Sequence, residues 1–208
     1  IKLNEDDELA FVRSTDGNAE IIFAGSNGKA VRFLENTVRP LGRTARGVKG
    51  FNVDGGYVIG LATNLEGEYI LTITENGFGK KSSLADYRMT RRGARGVKTV
   101  NVTQKSGKLV CMRAVRGDED CMIMTAGGVI RISLKQVSVY SRSAQGVKVI
   151  NVKDDIVSSV AILEPEEDSE VVDISHNEVL DEGVFEETPD EEDSIDNNEE
   201  DGTDSDSE

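Results

Sequence analysis

Arginine and lysine are the residues of this chain whose types and spacing could do chemistry. They gather in three loops, each ending in Gly-Val-Lys: Arg39, Arg43, Arg46 and Lys49; Arg88, Arg91, Arg92, Arg95 and Lys98; Arg142 and Lys148. A second set follows a turn in each repeat: Lys29 and Arg32, Lys80 and Lys81, Arg131 and Lys135. Cations at regular intervals suit a polyanion, and duplex DNA carries one negative charge per roughly 1.7 Å of axis. Neighbouring glycines allow close backbone approach, and backbone N–H groups can also meet phosphate. The third loop is poorest in bases, so weaker contact is expected there. The plainer reading is that each cation only solvates a surface, because scattered surface charge is normal. Recurrence in register weighs against that reading for the loop set. For Gly-Val-Lys, the glycine and valine could simply shape and pack a strand start, leaving the lysine for DNA.

Other chemistries find little support. No paired carboxylates, triad or metal cluster occurs in the body, and G-x-x-x-x-G-K-[S/T] has no match. Cys111 and Cys121 lack C-x-x-C spacing, and the only histidine, His176, is remote, which argues against zinc. Their ten-residue spacing recurs as Phe11/Ile21 and Ile59/Tyr69, so both read as core-facing strand residues and as reduced thiols of a cytosolic protein. No apolar run reaches the roughly 18 residues of a membrane span. With no recognition-helix candidate and 5% aromatics, base readout and single-strand stacking are poorly served. Phosphate contact with bending fits better. Bending 20–30 bp by 40–90° costs on the order of 1–6 kcal/mol, so several contacts must offset it.

The elements that must position these cations repeat about every fifty residues. Gly47-Val48-Lys49 recurs at Gly96 and Gly146, spacings of 49 and 50. Phe51-Asn52-Val53 recurs as Val100-Asn101-Val102 and Ile150-Asn151-Val152, and Ile1-Lys2-Leu3 fits the same slot. Gly17, Gly67 and Gly117, and Leu34, Leu84 and Leu134, lie 50 apart. Units of about 1–50, 51–99 and 100–149 follow, with a closing strand in 150–163. Each unit reads as a hairpin, the first two turning at Asn27-Gly28 and Asn76-Gly77, which favour a primed two-residue turn. Another strand precedes each hairpin, at 9–14, 57–63 and 109–115, with a last one at 156–163. The expected fold is all-β and propeller-like, with about four strands per blade. A unit that opens and closes on the same piece of the repeat lets one unit's strand complete its neighbour's sheet. Three blades do not close a ring, so the chain is expected to be a piece of a longer array that starts inside a repeat.

Arg43-Thr44-Ala45-Arg46-Gly47-Val48-Lys49-Gly50 and Arg91-Arg92-Gly93-Ala94-Arg95-Gly96-Val97-Lys98 resemble the C-terminal domain of the DNA gyrase A subunit. So do Glu75-Asn76-Gly77-Phe78-Gly79-Lys80-Lys81 and Leu84-Ala85-Asp86-Tyr87-Arg88. The resemblance covers residues 1 to about 163. It implies a β-pinwheel of usually six blades, here the last three, whose basic rim wraps duplex DNA. It also implies partnership with the remainder of the gyrase A protein, plus gyrase B, in an A2B2 enzyme of the bacterial cytoplasm and nucleoid. ATP and Mg²⁺ would act there at sites outside this chain, which itself is expected to take no cofactor. The DNA-cleaving tyrosine of the family follows an arginine, and none of Tyr57, Tyr69, Tyr87 or Tyr140 does. The family's gyrase-specific box, Gln-Arg-Arg-Gly-Gly-Lys-Gly, is matched between Thr44 and Gly50 only at Arg46, Gly47, Lys49 and Gly50. Topoisomerase IV, whose C subunit carries a related disc, therefore stays open, as does a propeller used for protein recognition.

Charge divides the chain. From Glu164 to Glu208 there are 22 acids and no Lys or Arg, leaving 17 acids against 24 bases before it, a net +7. The acidic segment has too few apolar residues for a core and is expected to be a disordered tail, although Val171, Val172 and Ile174 could dock back. A short flexible tether gives effective concentrations up to about the millimolar range. Non-specific DNA binding has a Kd of roughly 10⁻⁴–10⁻⁶ M. The tail can thus compete with DNA for the basic loops. Removing residues 165–208 is expected to raise duplex affinity, most at low salt where screening is least. Titrations of both forms at two salt concentrations check this, and equal affinities at low salt would leave the tail a solubilising role only.

Overall fold

The computed structural model describes residues 1–152 and 155–165, so the tail expected from the charge division lies almost wholly outside the described residues. The first unit supplies β1 (Glu20–Gly25) and β2 (Lys29–Leu34). The second supplies β3 (Val58–Thr63), β4 (Tyr69–Thr74), β5 (Phe78–Ser83) and the short β6 (Val97–Lys98). The third supplies β7 (Leu109–Val115), β8 (Asp120–Thr125), β9 (Gly128–Ser133) and β10 (Val147–Lys148), and β11 (Val157–Leu163) follows. The helical pieces among the described residues are three 3-10 turns, each entered directly after a hairpin.

Strands are exchanged between units. The sheets run β3-β1-β2-β6, β10-β5-β4-β7 and β11-β8-β9. Thus the strand that precedes each hairpin in sequence pairs with the hairpin of the unit before it, as Ile22↔Ala62 and Ile70↔Ala114 show. The Gly-Val-Lys segments do the same at the other edge, where Ala30 faces Val97 and Gly79 faces Val147. Every one of these strand pairings is antiparallel. In the middle sheet this layout buries both faces, so Ile70–Thr74 are buried without alternation, whereas β9 of the third sheet leaves Val129 and Ile130 exposed. Ile22, Ala24 and Ala30 of the first sheet pack against Ile70, Leu109 and Met112 of the second. Leu71, Ile73 and Cys111 of the second pack against Cys121, Ile123 and Val160 of the third. Each buried Ile or Leu contributes roughly 1.5–3 kcal/mol by leaving water. The two cysteines are free and buried, and burial raises their thiol pKa to about 11 for Cys111 and about 12 for Cys121.

Three expectations are corrected. Residues 9–14 form no strand; their counterparts are strands only where an earlier hairpin accepts them, and no such hairpin stands beside Leu9. The Asn-Gly turns are not two-residue primed turns. Gly28 N–H donates to the Gly25 carbonyl at 3.0 Å and Gly77 N–H to that of Thr74 at 2.9 Å, so the turn centres are Ser26-Asn27 and Glu75-Asn76. The glycine follows in the left-handed region, φ +75° at Gly28, which is the three-residue bulged connection. The third sheet has three strands among the described residues rather than four.

The Gly-Val-Lys seam rests on a missing Cβ. At Gly96, φ +75°, a Cβ would come within 3.0 Å of the Ala30 carbonyl; at Gly47, φ +85°, it would meet open space. Gly47→Ala should therefore lose only the roughly 1–2 kcal/mol of left-handed strain. Gly96→Ala should lose about 1–3 kcal/mol more through overpacking. Denaturant midpoints compare the two, and equal losses would mean that residues 96–98 are not packed against β2 in solution.

Candidate nucleic-acid interface

The three basic loops follow the 3-10 turns; the second and third lead into the seam strands β6 and β10, while Val48-Lys49 of the first forms no strand. None of the stretches 36–53, 87–117 and 121–153 contains Asp or Glu. Arg39, Arg43, Arg46, Lys49, Arg88, Arg91, Arg95, Lys98, Lys135 and Lys148 are all exposed, and none forms an ion pair among the described residues. Neighbouring loops are tied together. Asn52 N–H donates to the Ala94 carbonyl at 3.0 Å and Gly93 N–H to that of Gly50 at 2.6 Å. Arg92 Nη1 donates to the Lys49 carbonyl at 2.8 Å. Arg142 joins the third loop to the second, donating from Nη1 to the Lys98 carbonyl and from Nε to that of Asp86 at 3.2 Å. The loops therefore lie side by side in chain order.

Two features leave positive charge uncompensated there. Lys29 and Lys98 face each other directly across β2 and β6. Like charges at such a position are destabilising unless a counter-charge sits nearby. Lys49 and Lys98 instead hold only neutral partners, Asn52 Oδ1 at 3.4 Å and Asn101 Oδ1 at 3.3 Å. The Lys-x-x-Asn spacing recurs in all three repeats and was the available signal for these asparagines.

The second basic set is largely withdrawn from the surface. Lys80 is fully buried, its ammonium donating to Ser82 Oγ at 2.7 Å and to the Ser141 and Arg142 carbonyls at 2.8 Å each. Loss of hydration, with Arg142 nearby, lowers its pKa to about 8. Lys81 is 7% exposed, donates to the Gly117 carbonyl at 3.3 Å and lies over the Tyr69 ring. Arg32 is ion-paired with Glu20 and donates to the Leu84 and Tyr87 carbonyls at 2.8 Å each. Arg131, exposed, pairs with Asp120 at 2.7 Å. Arg32, Lys81 and Arg131 occupy one repeat position, partnered across the sheet by Glu20, Tyr69 and Asp120 at another. As phosphate contacts, Lys80, Lys81 and Arg32 are thus corrected: their donors are engaged inside the protein. Lys29, Arg92 and Arg142 are half-buried.

Tyr87, unassigned by the sequence, is 1% exposed and shares a hydrogen bond with Thr99, fastening the second loop to its own seam strand. Burial raises its pKa to about 12. Among the described residues no group of three or more His, Cys, Asp or Glu is placed to hold a metal ion, and no helix is long and apolar enough to cross a membrane.

The family described as DNA gyrase C-terminal domain, beta-propeller, matches residues 19–64, 68–116 and 122–164. Each matched segment holds all or most of one hairpin and the strand lent to it by the next unit. The DNA gyrase A protein of Staphylococcus aureus (strain MRSA252) is 44% identical over 175 residues, 82% of this chain and 20% of that protein. Its counterpart from Staphylococcus epidermidis (strain ATCC 12228) is 42% identical over 174 residues, 81% of this chain and 20% of that protein. The chain spans about a fifth of the length of these curated relatives. A solved gyrase A C-terminal domain superposes with TM-score 0.67 at 26% identity, covering 78% of this chain and 57% of that one. The C-terminal domain of a DNA topoisomerase IV does so with TM-score 0.71 at 24% identity, covering 78% and 52%, a likeness of fold.

Lys80 makes the interior pH-dependent in a checkable way. Its folded pKa lies below the ordinary 10.5, so between about pH 8 and 10 the unfolded chain binds more protons there and stability rises with pH. Cys111 and Cys121, with raised thiol pKa values, act in the opposite direction above about pH 9. Lys80→Met leaves its carbonyl acceptors unpaired and should lower stability by about 1–3 kcal/mol. The gap between wild type and variant should widen from pH 8 to pH 10 in denaturant titrations. A gap independent of pH would mean that Lys80 keeps an ordinary, solvated pKa.

Proposed function

The chain belongs to the DNA gyrase C-terminal domain family, and from that premise we propose that it binds duplex DNA without sequence preference and bends it across its three loops. The observation that carries this reading is the row of ten exposed cations without acidic partners, on adjoining loops free of Asp and Glu. Such cations displace condensed counterions from phosphates, and the released ions supply the driving force. Contacts fixed on adjoining loops can offset the elastic cost of bending because the protein holds them in place before DNA arrives. Among the described residues the loops offer no helix for the major groove, which supports backbone contact over base readout.

In this reading the chain is the DNA-wrapping part of a gyrase A protein, and the wrap lends handedness to ATP-dependent negative supercoiling in a bacterial cytoplasm. DNA cleavage and ATP hydrolysis with Mg²⁺ belong to other parts of the assembly, made with the rest of gyrase A and with gyrase B. The 42–44% identity to gyrase A proteins favours gyrase over topoisomerase IV, whose likeness here is one of fold.

The test uses Arg91, Arg95 and Lys98, exposed and free of structural hydrogen bonds apart from the lysine's contact with Asn101. Changing all three to Ala should weaken binding to unrelated duplex sequences alike. The slope of log affinity against log salt should become shallower by roughly 0.9 per lost phosphate contact, about 2.7 if all three touch phosphate. A folded triple variant with an unchanged slope would reduce these cations to surface solvation and favour the protein-recognition propeller.

A further inference from the structure

Arg92 and Arg142 stand apart from the other loop cations. When the three loops are laid in register, only two positions are basic in all of them: Arg43, Arg92 and Arg142, and Lys49, Lys98 and Lys148. Elsewhere the third loop replaces arginine by Ser138, Ser141 and Gln145. The structure joins the two shared positions to each other. Arg92 Nη1 donates to the carbonyl of Lys49, and Arg142 Nη1 to that of Lys98, each bond running from one loop back to the loop before it. Arg142 adds a second bond from Nε to the Asp86 carbonyl at 3.2 Å, whereas Arg92 Nε is buried without an acceptor. Arg43 is the internal control. It has no earlier loop among the described residues to reach, and it is exposed and makes no hydrogen bond or ion pair there.

We propose that Arg92 and Arg142 are positioning residues that set the spacing of successive basic loops, so that the exposed cations of neighbouring loops meet one continuous duplex. This rests on the duplex-binding reading above. The bonded carbonyls belong to Lys49 and Lys98, whose own side chains are offered to solvent. Each clamp therefore fixes the backbone at an offered cation. The guanidinium's planar fork holds its donors at fixed angles, whereas an ammonium's donors turn at the end of a flexible stem. Once DNA occupies one loop, a fixed spacing presents the next loop at high effective concentration. Loosening the clamp removes that gain without removing a phosphate contact.

The experiment measures affinity of the full chain for a duplex of about 10 bp, one helical turn, and for one of about 40 bp, across salt. Wild type, Arg142→Lys, Arg142→Ala and Arg92→Lys are compared, with folding checked by circular dichroism. Both Arg142 variants should lose about five-fold or more on the long duplex, the lower end of coupling between sites. Affinity and salt slope on the short duplex should be unchanged. Arg92→Lys, whose clamp has one bond rather than two, should lose less on the long duplex, and it carries the test if Arg142→Ala does not fold. Recovery of long-duplex affinity in Arg142→Lys, with a salt slope shallower by roughly 0.9 in Arg142→Ala, would make Arg142 a phosphate ligand and overturn the proposal. Unchanged long-duplex binding in every variant would overturn it too. If wild type itself gains nothing from length, the duplex-bending reading falls and takes this proposal with it.

Discussion

The placement of the basic loops depends on two-residue strand pairings. Lys29↔Lys98 with Ala30↔Val97, and Phe78↔Lys148 with Gly79↔Val147, dock the second and third Gly-Val-Lys segments on the hairpin of the unit before each. These are short ladders, and alone they would be weak. They hold because the glycine has no Cβ, which lets the carbonyl of Ala30 or Gly79 approach its backbone, and because Val100 and Ile150 then enter the cores between sheets. The remaining order follows. Units that lend strands backwards must stack in chain order, so their connecting loops emerge as neighbours. The basic row is a consequence of that stacking.

The same fold sorts its cations by solvation. A buried ammonium or guanidinium is tolerated only with several acceptors, since an unpaired buried charge is far more costly than an exposed one. Lys80, Lys81 and Arg32 meet that demand with carbonyls, hydroxyls, a ring face and a carboxylate. The loop cations face water and have no such partners. One side of the repeat thus uses positive charge to bind units together, and the other leaves it available to a polyanion. Arg92 and Arg142 lie between the two sets, half-buried and reaching from one loop to the next.

Much of this was legible in the sequence, and the gaps have physical causes. Hairpins and repeat registers could be read because apolar runs and glycine turns recur in step; the leucines fifty apart mark it less well, since Leu34 ends β2 exposed whereas Leu84 and Leu134 open the 3-10 turns buried. Strand exchange was legible in kind but not in detail: a run such as residues 57–63 shows that it wants a partner, not which unit provides one. Residues 9–14 have the same pattern and no partner hairpin beside them, so pattern alone could not decide. Lys80 misled because Gly-Lys-Lys-Ser-Ser looks like a solvated strand; its acceptors at Ser141 and Arg142 lie about sixty residues away. The arginine at 92 and 142 was ambiguous by chemistry, since a guanidinium can donate to a phosphate or to a backbone carbonyl. The exposed loop set carried the stronger signal because recurrence without acidic neighbours has few structural uses.

The central claim is that the seams hold three basic loops in one row that a single duplex follows by bending. Energy transfer between dyes on the two ends of a duplex of about 40 bp, short against the roughly 150-bp persistence length, reads this directly. In a one-to-one complex at low salt the transfer should rise above that of free DNA and fall back as salt is added. Binding at full occupancy with end-to-end transfer equal to that of free DNA would show a straight duplex and contradict the account.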